Sequence, residues 1–350
     1  MKSSMPSKFA RGFSADRRFA NGFFLALGLA LFTGLAGADG AKPLPAWPPP
    51  PQKPYIVYVR DLAAPKDIGA KLPFFTRLVN TITGVGADAR KLNRPFGLSL
   101  DEAGNLLVTD TAANTVSYLD FGNKKWLSWD AVAKRNFLSP VAAVHRQQTF
   151  YVADSALGEV LAFDEKGRLQ FEITNHLERP TGLAFLGDKL LVVDSQLHQV
   201  VICGLHGEFI SSFGKRGLDP GEFNFPTHVA VDNRNQIYVT DSLNHRIQIF
   251  TEDGHFIRAF GSAGDGPGHF SRPKGVAVDA AGHVYVVDAV FGNVQIFDGA
   301  GHLLLDFGQA GSGLGEFWLP NAIAINSRNE IFVSDAYNHR VQMFRYTGRE

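Results

Sequence analysis

Apolar and polar positions alternate with period two in short runs through most of the chain, and the runs recur as one phrase. A proline opens a run of the form Pro-x-x-(Val/Ile)-Ala-(Val/Ile). A polar turn follows, then (Tyr/Phe)-Val-x-Asp, then a strand ending in Phe. Residues 226–250 read PTHVAVDNRNQIYVTDSLNHRIQIF, residues 273–297 PKGVAVDAAGHVYVVDAVFGNVQIF, and residues 320–344 PNAIAINSRNEIFVSDAYNHRVQMF. Asp241, Asp288 and Asp335 close the second phrase 47 residues apart each time. Looser copies precede them: RPFGLSL before LLVTD at Asp110, SPVAAV before FYVAD at Asp154, and RPTGLAF before LLVVD at Asp194. A period of about 40–50 residues made of short strands predicts an all-β fold, a six-bladed β-propeller with one four-stranded blade per unit.

The fourth unit divides into strands over 229–232, 236–240, 246–250 and 256–260, separated by turns rich in Asn, Asp and Gly. The strand after the proline is expected nearest the axis, where Ala230, Ala277 and Ala324 suit the crowding of blades. Phe223, Phe270 and Phe317, each in a Gly-x-Phe step, are expected to wedge an aromatic ring between neighbouring blades. The sixth unit offers only three strands before residue 350. Residues 55–59, YIVYV, form a strand without a blade, so they are expected to complete the last blade and close the ring, removing its open edges. Between them and the first blade, residues 72–84 carry Phe75, Leu78, Val79 and Ile82 at helical spacing and predict a short helix.

The start of the chain has another character. Lys2, Lys8, Arg11, Arg17 and Arg18 precede a mostly apolar run, Phe23–Leu35, which ends at Ala36-Gly37-Ala38. Residues 1–38 therefore read as a secretory signal peptide, and export to the periplasm or beyond is expected. The rival is a retained anchor over residues 23–38, against which the short apolar run counts. Residues 39–54, with their prolines, are expected to be an extended, semi-rigid linker, or a docking segment for a partner. Removing the signal takes Lys+Arg from 34 to 29 and Asp+Glu from 34 to 33, a net −4, which argues against nucleic acid as partner. Cys203 is the only cysteine, so no disulfide forms within the chain. A monomer stabilised by packing, without a cofactor, is expected.

The pattern resembles the NHL-repeat family, through Asn244-His245-Arg246, Asn338-His339-Arg340 and the degraded Leu197-His198-Gln199. The resemblance covers nearly everything from Tyr55 onward and is most specific in the last three units. It implies a six-bladed propeller, and its exported bacterial members are similar to this chain as a whole. Function does not follow from this fold.

Six aspartates that recur in every unit point to structure: a carboxylate ending a strand accepts N–H bonds from a turn that each blade possesses. Arg246 and Arg340 repeat in the same way and are expected to brace neighbouring blades. A site should break the repeat instead. The two positions that open each inner strand read Phe96-Gly97, Val141-Ala142, Thr181-Gly182, Thr227-His228, Lys274-Gly275 and Asn321-Ala322. Thr227, His228, Lys274 and Asn321 turn three adjacent blades polar; with Thr181 and Phe96 they form the candidate ligand site at the channel mouth. An imidazole, an ammonium and an amide there suit a carboxylate or a sugar-like ligand.

Relatives that catalyse on this fold use three axial histidines for zinc, or a Glu–Asn–Asp calcium cluster. Only His228 and Asn321 match, while His206 and His255 sit beside turn glycines, so no catalytic or metal-binding residue is assigned. The leading expectation is a non-catalytic module presenting a rigid face to a protein or small-molecule partner. The alternatives are a metal-assisted lyase or lactonase at the axis, and a scaffold of an envelope complex, including an electron-transfer one.

Overall fold

Short β-branched and aromatic runs between Gly- and Asn-containing turns build six antiparallel sheets, each beginning at one of the recurrent prolines. The computed structural model describes residues 43–70 and 91–348. The expected signal peptide and the helix over 72–84 lie outside the described residues. Blades 1 to 6 span residues 95–129, 140–173, 180–213, 226–260, 273–307 and 320–346.

Burial follows position in the blade. Second strands such as Ile237–Asp241 and Val284–Asp288 are buried throughout, because a neighbouring blade covers each of their faces. They read as continuous apolar runs for that reason. The outermost strand of blade 3, Phe209–Phe213, is mostly exposed. The fourth unit forms strands at Pro226–Val231, Ile237–Asp241, Arg246–Phe250 and Phe256–Phe260, close to the sequence reading. An additional two-stranded hairpin, Ala131–Val132 with Arg135–Asn136, lies between blades 1 and 2.

The aromatic wedges are present. Phe223, Phe270 and Phe317 are fully buried. Phe223 sits 6.3 Å from Phe213 of blade 3 and 5.5 Å from Phe250 of blade 4, so it joins the two cores. Gly261 has φ +87°, and a Cβ there would come within 2.4 Å of the Phe270 ring, so the glycine and the wedge require each other.

The ring closes as expected. Ile56–Leu62 pairs antiparallel with Arg340–Tyr346 as the fourth strand of blade 6, with Tyr58 opposite Phe344 and Leu62 opposite Val341. The inner strands of blades 6 and 1 pack side by side. Part of the expected linker is not a free spacer. Ala46–Trp47 adds a fifth strand to blade 6 beside Ile56 and Val57. The Trp47 ring lies 5.7 Å from Phe307 and 5.9 Å from Phe344, so apolar burial outweighs the extended preference of the surrounding prolines. Trp47→Ala is expected to cost about 2 kcal/mol, below the range for a fully buried tryptophan because Trp47 is only half-buried. A lowered urea midpoint at unchanged m would show it.

Candidate ligand-binding site

Each inner strand begins where the second strand of its blade ends: Pro226 pairs with Asp241, and Pro273 with Asp288. One face of the ring therefore gathers the residues flanking every proline and every repeat aspartate. All six aspartates are buried there. Asp154 accepts from the N–H groups of Leu138 (2.7 Å) and Leu157 (3.2 Å), and Asp288 from Ser271 (2.7 Å) and Val290 (2.9 Å). Asp110 and Asp194 do the same in blades 1 and 3. Each carboxylate ties the turn before its inner strand to the turn after its second strand.

Blades 4 and 6 use side chains as well. Asp241 accepts from Asn224 N–H (2.6 Å), Asn244 Nδ2 (2.8 Å), Arg246 Nε (2.8 Å) and Gln248 Nε2 (3.0 Å). Asp335 is held by Trp318 N–H, Asn338, Arg340 and Gln342 in the same way. The far end of each arginine donates to carbonyls of the loop entering its blade, Glu222 for Arg246 (2.9 Å) and Glu316 for Arg340 (3.2 Å). These carboxylates are saturated and hold turns.

A cavity of about 480 Å³ opens at this face, walled by blades 1 to 5. Phe96, Thr181, Thr227, His228 and Lys274 line it. Asn321 stands behind that lining, 5% exposed; its Nδ2 donates to the Phe96 carbonyl at 3.3 Å and meets His228 Nε2 at 3.4 Å. Residues from blades 1, 4 and 6 thus close the channel behind the cavity.

Backbone crowding bars a side chain from half of the inner-strand openings. Blades 1, 3 and 5 carry Gly97, Gly182 and Gly275, while blades 2, 4 and 6 carry Ala142, His228 and Ala322. A Cβ on Gly275 would lie 2.7 Å from Ile323 N, and one on Gly182 2.8 Å from the Thr227 carbonyl oxygen. Alternate inner strands press against the next blade. Those between leave room that Ala142 and Ala322 do not fill and His228 does.

Enclosure by protein, and then the nearby Lys274 ammonium, push the His228 imidazole down to about 3, so it is neutral at ordinary pH. With Asn321 donating to Nε2, the proton sits on Nδ1. That Nδ1 and the Thr227 hydroxyl are shielded and have no hydrogen-bond partner. His228 is a neutral plug. The charge comes from elsewhere.

Lys274 is lowered to about 8 by burial and then by Arg272. It still carries a proton at neutral pH. Arg179 and Arg272 line the same cavity, and none of the three cations forms an ion pair or a side-chain hydrogen bond among the described residues. Among the described residues, no Asp or Glu lines the cavity. Three cations without an ion-pair partner line one recess and give it a positive face, in front of the hydrogen-bonded aspartates buried behind it.

The two arginines were visible in the sequence as part of a pattern. Arg94-Pro95, Arg179-Pro180 and Arg272-Pro273 open blades 1, 3 and 5, the blades with the crowded glycines, whereas Ser139, Phe225 and Leu319 precede the other prolines. Arg94 itself lies over the Tyr337 ring at 5.1 Å. Among the described residues, no group of three His, Cys, Asp or Glu is placed to hold a metal ion. His255 is an exposed turn residue 3.2 Å from Asp253.

A family model described as 6-bladed beta-propeller (DUF5128) matches residues 233–290, and an NHL-repeat model matches residues 317–344. The chain is a six-bladed β-propeller, and residues 317–344 match the NHL repeat. Solved structures of similar fold include virginiamycin B lyase from Staphylococcus aureus, at 14% identity and TM-score 0.54 over 72% of this chain and 95% of that one. Kuenenia stuttgartiensis hydrazine synthase is similar at 13% identity and TM-score 0.54, over 73% of this chain and 96% of that one. A protein of unknown function from Bacteroides thetaiotaomicron is similar at 16% identity and TM-score 0.55, over 73% of this chain and 70% of that one. At these identities the likeness concerns the propeller and not its chemistry. In this propeller the inner-strand openings and the Arg-Pro steps are where the blades stop resembling one another.

Proposed function

We propose that this propeller is an exported binding module whose channel mouth captures an anionic group, carried by a small molecule or by a partner protein. The convergence of Arg179, Arg272 and Lys274 on a recess without a carboxylate supports this reading. Guanidinium forks suit bidentate carboxylate or phosphate. Export rests on the basic and apolar start of the chain.

Calorimetric titration of the purified protein with citrate and with inorganic phosphate at low salt tests it. Saturable binding is expected, weakened at least about tenfold by Arg272→Ala. Absence of heat with either anion, at any salt, would overturn the reading. The pH dependence has a definite sign. Sulfate stays a dianion throughout the titrated range, so its affinity reports the protein alone. It is expected to be level below about pH 7.5 and to fall as Lys274 loses its proton above about 8. Lys274→Arg should flatten that profile.

Elimination chemistry at the same cavity is the second reading. Its support is the lowered Lys274 ammonium, which can give up and regain a proton near pH 8. The lyase of similar fold was also solved as a catalytically inactive histidine-to-alanine variant with quinupristin. This reading requires Lys274-dependent deuterium exchange into a bound carboxylic acid, read by NMR. No exchange would leave capture alone.

A further inference from the structure

On the blade 4 and blade 6 side of the cationic recess, the rim of the mouth carries apolar side chains. Leu243 lines the cavity edge and is exposed. Tyr337 takes the same place in blade 6: the Leu243 N–H donates to the Asn224 carbonyl at 3.1 Å, and the Tyr337 N–H to the Trp318 carbonyl at 3.2 Å. Leu319 is likewise the blade 6 counterpart of cavity-lining Phe225, with φ +52° against +51°. Trp318, 55% exposed, lies 5.7 Å from the Tyr337 ring, which Arg94 covers from blade 1. Blade 6 contributes nothing to the cavity wall and instead presents an aromatic platform at its edge.

We propose that the mouth face docks an acidic peptide segment of a partner protein, seating one side-chain carboxylate in the recess and adjacent apolar side chains on Trp318, Leu319 and Tyr337. This rests on the anion-capture reading and names its occupant. Charge complementarity selects a carboxylate for the recess, and the exposed aromatics select an occupant that continues beyond it with apolar groups. A small free anion would leave the platform uncovered. A planar anionic membrane fits less well: Lys274 lies within the cavity, and exposed Glu178 stands beside Arg179 on the same rim. Exposed Trp and Tyr beside a charged pocket are the residue types that dominate peptide-binding energy.

Fluorescence anisotropy with three labelled eight-residue peptides tests the proposal: a central Asp-Glu flanked by Leu and Phe, the same flanks around Asn-Gln, and Asp-Glu flanked by Ser. The first is expected to bind at least about tenfold more tightly than either other peptide. Trp318→Ala, at an exposed position, should remove the advantage of the apolar flanks while citrate binding stays unchanged. If citrate binds but Leu/Phe and Ser flanks bind equally, the peptide proposal fails and anion capture stands. If citrate does not bind, both fail. Binding to phosphatidylglycerol vesicles with no preference among the peptides would overturn the proposal in favour of a membrane surface.

Discussion

Lys274→Met is expected to stabilise the folded protein by about 3 kcal/mol at pH 7 while abolishing anion capture. The ammonium falls from an ordinary 10.5 to about 8 on folding, at about 1.4 kcal/mol per pH unit. Burial is the main cause, and Arg272 adds repulsion. Because the folded value is the lower one, the penalty is complete below about pH 8, where both folded and unfolded chains hold the proton. It shrinks as pH rises through 8, and is gone above 10.5, where neither does. Methionine keeps the length without the charge. The gain should therefore be large in a urea titration at pH 7 and nearly absent at pH 10.5. Equal stability of the two proteins at pH 7 would mean that Lys274 is already neutralised in solution, and the positive face of the recess would go with it. A stabilising substitution that removes binding is the usual signature of a residue kept for a ligand.

Asp335→Ala should act in the opposite direction, costing roughly 3–5 kcal/mol, the range for breaking a buried ion pair by removing one partner. Arg340 is 9% exposed and would retain Asp61 (3.0 Å) and loop carbonyls, while Trp318 N–H, Asn338 and Gln342 would lose their acceptor. Since Asp61 lies on the strand that closes the ring, the loss reaches the closure itself. Asp288→Ala removes backbone donors' acceptor but strands no buried arginine, so it should cost less, about 1–3 kcal/mol. Circular-dichroism melts of the two variants at pH 7 compare them directly. Equal losses would show that the Asn-x-Arg-x-Gln side chains contribute nothing beyond the turn bonds.

Repetition made most of the architecture legible. Six prolines and six aspartates in register gave the blades. The unpaired run at 55–59 was assigned to closure because a ring must have no free edge. Phe223, Phe270 and Phe317 were recognisable because one side chain in three copies carries one role. What repetition could not convey was long-range contact. Trp47 lies in a proline-rich stretch whose local preference is extended, and only the rings of Phe307 and Phe344, about 260 and 297 residues away, turn it into a strand. Arg179 and Arg272 stand in a visible Arg-Pro pattern, but whether a cation is paired depends on the fold. The same holds for His228, whose polarity was evident but whose neutrality comes from enclosure.

The pairing of Ile56–Leu62 with Arg340–Tyr346 makes assembly order a constraint. It spans nearly the whole sequence, so its loop-closure entropy is among the greatest in the ring and it should form late. Until then a nascent polypeptide can present only an arc with two bare flanks, vulnerable to pairing with another copy, and the recess at the axis does not yet exist. Ligand competence should thus arrive in a single late step.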